Sequence, residues 1–182
     1  MVQARRPGAL ARSAAFFHRT GMDHCFPPVV SPATRLLLLG SLPGAVSLAQ
    51  QSYYAHPRNQ FWRLIGAVIG RDLVGLEYPK RLEALMEAGV GLWDTVAAAT
   101  RRGSLDADIR LHAASDIAQL ASSLPELRAI AFNGGASARI GRRQLGADPG
   151  LALIDLPSSS PAYTLAFEAK CQAWMKLRRF LD

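Results

Sequence analysis

A run of four leucines is the feature that most restricts how this chain can fold. Leu36 to Leu39 are followed at once by the turn Gly-Ser-Leu-Pro-Gly at 40–44. A short, continuous apolar run bounded by glycine and proline predicts a strand buried on both faces, and we place it at 35–39. Ligands bind parallel sheets beyond the carboxyl ends of the strands. The residues that follow the leucines are therefore the first candidates for a functional site.

Three more strands are predicted, and helices separate them. The strands lie at 92–96, 128–132 and 151–156, with a polar loop at 100–109. The helices lie at 60–69, 79–88, 116–120, 136–142 and 164–181. This alternation predicts an α/β fold, a three-layer α/β/α sandwich with a mostly parallel four-stranded sheet. Because the carboxyl ends of parallel strands share one edge, the polar loops that follow them can line one cleft.

Length and charge bound the kind of protein. The chain has 182 residues, 49% of them apolar, which is enough for one domain with a substantial core. We place that domain at 22–182 and expect residues 1–21, rich in arginine and without an acid, to be a poorly ordered basic extension. The net charge of +7 falls to +3 without the four arginines of that extension. A basic chain favours a polyanionic partner.

Membrane, metal and redox functions find no support in the sequence. No apolar run approaches the roughly 18 residues that a membrane span needs. The two cysteines, Cys25 and Cys171, are far apart and match no metal-binding spacing. Three of the four histidines, His24, His56 and His112, show no such spacing either. We expect no membrane contact, two reduced thiols, no metal and no cofactor.

The turn after the first strand departs from three well-known functional motifs. It is neither a GxGxxG fingerprint nor a GxxxxGK[ST] loop, and it is not a GxSxG nucleophile elbow. Nucleotide-cofactor and serine-hydrolase functions therefore lose support. The turn either only redirects the chain or presents Gly40, Ser41 and Leu42 to a ligand.

The segment His-Pro-Arg-Asn-Gln-Phe-Trp at 56–62 carries side chains that can bind a ligand or take part in catalysis. Asn59 either caps the following helix or directs its amide into the cleft, where it can orient a water or hold a base edge. Arg58 is either a solvated charge or a phosphate contact. Tyr53 and Tyr54, just before it, belong either to the core or to a surface on which a base stacks.

Two later loops offer polar groups of the same kind. Asn133 precedes two glycines and is either a turn residue or an amide that reads a base. The serines at 158–160 lie between two prolines, and they form either a flexible linker or a phosphate site of hydroxyls and backbone N–H groups. Asp94 and Asp106 are each compatible with a general base or a structural partner.

Taken in order, these motifs resemble the uracil-DNA glycosylase superfamily. The segments that carry the resemblance are GSLPG, SYYAHPRNQFW, GLWDTV, RGSLDADI, FNGG and LPSSSPAYT, and they span about residue 24 to the C-terminus. Within the superfamily they are most similar to the hypoxanthine-DNA (deoxyinosine) glycosylase branch. The resemblance implies a four-stranded α/β/α fold and metal-free removal of a deaminated base from DNA.

The resemblance also implies individual roles. Many branches position the attacking water with an asparagine at the third place of the first turn, where this chain has Leu42. The deoxyinosine branch uses a downstream asparagine, which is Asn59 here, and the resemblance makes it the catalytic residue. The implied base pocket comprises Gly40, Ser41, Leu42, Tyr54, Phe132 and Asn133. The implied DNA-binding residues are Arg58, Ser158, Ser159, Ser160, Pro161 and Tyr163.

The hypothesis at this point is a monofunctional base-excision-repair enzyme that acts on hypoxanthine in DNA. We expect a monomer that works in the cytoplasm on the DNA of a bacterial-type nucleoid. One alternative is a glycosylase of the same fold for uracil or mismatched thymine. Another is a nucleic-acid-binding module without catalysis, which Leu42 favours because leucine cannot position a water.

Overall fold

The computed structural model describes residues 23–101, 109–146 and 149–182. The strands are β1 (Asp23–His24), β2 (Leu36–Gly40), β3 (Val90–Asp94), β4 (Val96–Arg101), β5 (Ile109–Ala114), β6 (Ala129–Asn133) and β7 (Ala152–Leu156). The helices are α1 (Ala45–Gln50), α2 (Phe61–Ile69), α3 (Tyr78–Glu87), α4 (Ile117–Ser122), α5 (Gly135–Leu145) and α6 (Phe167–Met175), and a 3₁₀ helix (Lys176–Phe180) follows.

A four-stranded parallel sheet forms the centre of the molecule. Its strand order is β3-β2-β6-β7, and every neighbouring pair is parallel. The leucine strand is central, with all five of its residues buried. Helices cover both faces of the sheet, so the predicted α/β/α sandwich is confirmed.

The alternation of side chains along β2 divides the core into two layers. Leu36 and Leu38 pack in the cluster that contains Phe61 of α2 and Trp174 of α6. Leu37 and Leu39 point to the opposite face, where the residues of α4 and α5 complete a second cluster. Successive strand residues face opposite sides, so a strand covered on both faces must be apolar throughout. The unbroken leucine run follows from that requirement.

A second, smaller sheet was not predicted. It is antiparallel, with the order β1-β4-β5, and β4 follows β3 after one residue. The predicted strand at 92–96 and the predicted loop at 100–109 are therefore wrong in their bounds. The central strand ends at Asp94, and the chain turns at once into the first arm of a hairpin. Residues 102–108, which include Asp106, lie outside the described residues, as does the predicted extension at 1–21.

Two helices differ from the prediction. Helix α1, which begins directly after the GSLPG turn, is not among the predicted helices. The last helix begins at Phe167 rather than at 164, and its final residues wind into the 3₁₀ helix. Among the described residues, no helix combines the length and the apolar character required to cross a membrane.

Close packing between α5 and the sheet leads to a stability prediction. A methyl group on Gly141 would overlap the ring of the fully buried Phe132, coming 3.0 Å from Cδ1. We expect Gly141→Ala to lower the free energy of unfolding by about 1–2 kcal/mol, because overpacking exceeds the gain in helix propensity. A methyl group on Gly135, in the same helix, meets nothing within 4 Å. Chemical denaturation should find Gly135→Ala at least as stable as the parent protein, and equal stability of the two variants would contradict this packing.

Candidate active site

A cleft of about 600 Å³ lies at the carboxyl edge of the parallel sheet. The loops after β2 and β7 line it, as the sequence predicts, while β3 and β6 contribute their last residues, Asp94 and Asn133. The segment before α2 adds another wall. The predicted site residues that line it are Gly40, Ser41, Leu42, Tyr54, Arg58, Asn59, Asn133, Ser158, Ser159, Ser160, Pro161 and Tyr163. The volume lies in the range of about 300–1,000 Å³ that is usual for small-ligand sites.

Phe132 is the predicted pocket residue that the structure does not bring to the cleft. Its side chain is fully buried in the core layer formed with Leu37, Leu39 and Ile130. Phe132 and Asn133 are adjacent on β6, so their side chains leave the strand on opposite faces. Asn133 reaches the cleft and Phe132 does not, which removes Phe132 as a stacking partner for a base.

Asn59 bonds to the start of α2 and also lies at the cleft. Its Oδ1 accepts a hydrogen bond from the backbone N–H of Phe61, at 3.0 Å, where α2 begins. Asn59 also lines the cleft. The cap uses one lone pair of the amide oxygen, and a carboxamide has a second lone pair and two N–H donors. Capping the helix and contacting a ligand are therefore compatible at Asn59.

Tyr54 has a strained backbone conformation, and its ring stacks on that of Phe61. It is one of two non-glycine residues with positive φ among the described residues, with φ at 54°. Its ring lies nearly parallel to that of Phe61, 3.7 Å between centroids and 11° between planes. A left-handed tyrosine costs about 1–3 kcal/mol, and such strain is concentrated at functional sites. The arrangement fixes an aromatic ring in the wall of the cleft.

The absence of a side chain at Gly40 leaves room for the buried carboxylate of Asp94 at the floor of the cleft. A Cβ at this position would lie 2.5 Å from Asp94 Oδ1 and 3.2 Å from Tyr54 Oη. Asp94 lines the cleft but is only 3% exposed. Burial first, and the negative charge of Asp94 second, raise the pKa of the Cys25 thiol and of the Tyr53 phenol. Both groups therefore stay protonated, and hence neutral, at physiological pH.

Residues 157–163, here named the cleft loop, are anchored at Ser159. That residue is fully buried, and its N–H donates to Asn133 Oδ1 at 2.8 Å. Asn133 Nδ2 in turn donates to Ser159 Oγ at 2.9 Å. The Ser159 carbonyl accepts from the N–H of Gln60 at 3.0 Å. These bonds connect the cleft loop both to β6 and to the start of α2, beside Asn59.

The glycine after Asn133 allows this close approach. Gly134 has φ at 102°, which side chains rarely adopt, and a Cβ there would lie 3.0 Å from Ser158 Cβ. The FNGG sequence is thus explained by packing of β6 against the cleft loop. Asn133 therefore has two functions in the structure: it holds the cleft loop through Ser159, and it lines the cleft.

Sequence reasoning missed the contribution of α1 to the site. Ser47, on that helix, lines the cleft, is buried and accepts a hydrogen bond through Oγ from the N–H of Ala55, at 3.2 Å. This bond helps to hold the segment that carries Tyr54. The six-residue helix has no side-chain cap and no acidic residue in its first turn, so the sequence offers few signals for it.

A second groove, of about 530 Å³, lies along α2 and is lined by Arg63, Arg71, Leu73 and Phe167, among others. The guanidinium of Arg63 packs 4.1 Å from the centroid of the Phe167 ring. This groove is shallow and receives no residue from the carboxyl ends of the parallel strands. The cleft at the sheet edge is therefore the better candidate site.

Known proteins share this architecture. Residues 27–181 match the family model of the uracil DNA glycosylase superfamily. A hypoxanthine DNA glycosylase from Methanosarcina barkeri is 45% identical over 109 residues, which are 60% of this chain and 69% of that protein. A protein of the same name from Methanosarcina acetivorans is 43% identical over equal shares.

The fold comparison points the same way. A solution NMR structure of a candidate uracil DNA glycosylase from Methanosarcina acetivorans matches with a TM-score of 0.79 and 36% identity, over 88% of this chain and 98% of that one. The chain belongs to the uracil DNA glycosylase superfamily. It is accordingly a DNA glycosylase, a hydrolase of the bond between a base and its sugar, which sets aside the binding module without catalysis.

Proposed function

We propose that this glycosylase removes hypoxanthine, the deamination product of adenine, from DNA. The observation that carries the proposal is the position of Asn59 in the cleft. The turn after β2 has Leu42 at the place where many branches carry a water-positioning asparagine, and leucine cannot take that role. The names of the two Methanosarcina relatives support the same substrate.

The base must leave the duplex before it can be attacked. Flipping a nucleotide costs a few kcal/mol, and less where the base is damaged or mispaired. We propose that the flipped base stacks on Tyr54, whose other face is supported by Phe61. Leu42 and the Gly40-Ser41 backbone would then meet the edge of the base.

Cleavage of the bond leaves positive charge on the sugar and negative charge on the departing base. We propose that Asn59 orients the water that attacks the sugar carbon. Backbone groups of the turn at Ser41 and Leu42 would stabilise the charge on the base, a contribution worth about 10²–10³ in rate for each well-placed donor. Within the described part of the chain, no lysine lines the cleft to form a Schiff base, which supports a monofunctional glycosylase.

The cleft loop is proposed to hold the DNA backbone. Ser158 and Ser160 offer hydroxyl groups, whereas the buried Ser159 anchors the loop, and Arg58, which is exposed and also lines the cleft, supplies a positive charge. Tyr163 is 47% exposed and can fill the gap left by the flipped nucleotide. The proposal places a monomer in the cytoplasm, where the free thiols of Cys25 and Cys171 fit a reducing compartment.

Excision assays on defined duplexes test the substrate. One duplex carries a single deoxyinosine and a second carries a single deoxyuridine, and alkali cuts the strand at each abasic site formed. We expect cutting of the inosine strand and little cutting of the uracil strand. Preferential cutting of the uracil strand would transfer the assignment to a uracil or mismatch glycosylase, and the role of Asn59 would have to be reconsidered.

A further inference from the structure

Helix α6 holds both ends of the cleft loop. Trp174 Nε1 donates to the carbonyl of Pro157 at 3.0 Å. Lys170 Nζ donates to the carbonyl of Tyr163 at 2.7 Å. The two donors are four residues apart, so they lie on the same face of the helix, one turn from each other. The conformation of the loop therefore depends on two side chains that lie outside the cleft.

Lys170 is an unusual residue for this position. It is only 1% exposed, and burial lowers its pKa. Its Nζ lies 5.4 Å from the centroid of the Tyr163 ring. No carboxylate of the described residues forms an ion pair with it. Burying an ammonium group without an opposite charge is costly, so a neutral donor here would be less expensive for folding.

Neutral donors hold the rest of the cleft loop. The carbonyl of Pro157 is bound by an indole N–H, and Ser159 is bound by an asparagine amide and a backbone N–H. Hydrogen bonding alone therefore does not explain a lysine at position 170. The carbonyl and the ring of Tyr163 stabilise the ammonium group in part, and an anion in front of the loop would stabilise it further. A DNA phosphate is such an anion, and the charge acts on it more strongly because the protein interior screens little.

We propose that Lys170 is a positioning residue for DNA, which fixes the end of the cleft loop and places a buried positive charge behind it to attract a backbone phosphate. The proposal rests on the proposed role of the cleft loop in holding DNA. It does not depend on which base is excised. The ammonium group itself does not line the cleft and takes no part in bond cleavage.

The test separates the charge of Lys170 from its hydrogen bond. Lys170→Met removes both, whereas Lys170→Gln keeps a donor and removes the charge. Lys176→Met is the matched control, because Lys176 is an exposed lysine of the same C-terminal segment. The probe is a duplex with one tetrahydrofuran abasic site, which the glycosylase can bind but not cut. Its Kd is measured from low to high salt, and single-turnover excision of inosine is measured with saturating protein.

We expect both Lys170 variants to raise Kd about tenfold at low salt, as loss of a phosphate-directed charge would. The difference from the parent protein should shrink as salt rises, and the excision rate at saturation should change by less than about threefold. The melting temperature of Lys170→Met should change little, since relief of the unpaired buried charge offsets loss of the bond to the Tyr163 carbonyl. Lys176→Met should bind like the parent protein.

Three results would overturn the proposal. They are parent-like binding by Lys170→Met, restored binding by Lys170→Gln, and a loss of affinity that is equal at all salt concentrations. If Lys170→Met does not fold, Lys170→Gln and the salt series still decide the question. Failure of the parent protein to cut inosine would refute the proposed substrate alone, because binding to the abasic probe does not involve a base.

Discussion

Asn59→Ala should reduce excision of hypoxanthine by at least about 10²–10³-fold, the cost of removing one well-placed polar group from an active site. Affinity for DNA should be almost unchanged, because the cleft loop and Arg58 remain in place. Single-turnover excision and binding to an abasic duplex measure the two effects separately.

Asn59 also caps α2, so the alanine variant alone would not isolate catalysis. Loss of the bond to the Phe61 N–H is expected to cost about 1 kcal/mol of stability. Asn59→Ser is the matched control, because a serine hydroxyl can accept the same N–H but cannot replace the amide. We expect this variant to be as stable as the parent protein and as inactive as Asn59→Ala. Excision at the parent rate by Asn59→Ser would show that Asn59 is only a cap.

Gly40→Ala is expected to lower excision by about 100-fold, because a displacement of about 1 Å among the groups that position a substrate can have that effect. The added methyl group would lie 2.5 Å from Asp94 Oδ1 and 3.2 Å from Tyr54 Oη, so both side chains must move. Binding of DNA to the cleft loop should persist, since that loop is anchored elsewhere.

Gly44→Ala provides the comparison within the same turn. Gly44 has φ at −71° and ψ at 164°, which alanine adopts readily, and a Cβ there meets nothing within 4 Å. This variant should excise at nearly the parent rate and melt at nearly the same temperature. Equal loss of activity in the two variants would mean that the turn, and not the space beside Asp94, matters for the reaction.

The central sheet could be read from the sequence because its strands are buried on both faces. The leucine run, with the apolar segments around Ile130 and Ile154, is short and bounded by glycine, proline or asparagine. Parallel strands place their following loops on one edge, so the order of the elements is enough to predict that Asn133 and Ser159 share a cleft with Asn59. That part of the site depends on topology, which the alternation of elements indicates well.

The small antiparallel sheet was missed because β4 gives a weak signal. Its sequence, Val-Ala-Ala-Ala-Thr-Arg, holds three alanines, which are depleted in strands. It also follows β3 after one residue, so the two strands read as one segment.

The burial of Phe132 in the core could not be predicted from the sequence, for a different reason. In a strand that is apolar on both faces, the sequence does not show which of its last residues faces the cleft and which faces the core. Likewise, nothing in three consecutive serines distinguishes Ser159, which Asn133 binds, from its neighbours.

The hydrogen bond from Gln60 N–H to the Ser159 carbonyl has a consequence for how damage is found in a genome. It joins the start of α2, beside Asn59, to the cleft loop before DNA arrives, so the two do not have to assemble around a nucleotide. The free energy needed to expose a base is then determined mainly by the stability of the duplex at that site. Sites where pairs open often, such as mismatches and frayed ends, should be repaired first, and the thermal breathing of the double helix would set the order of repair.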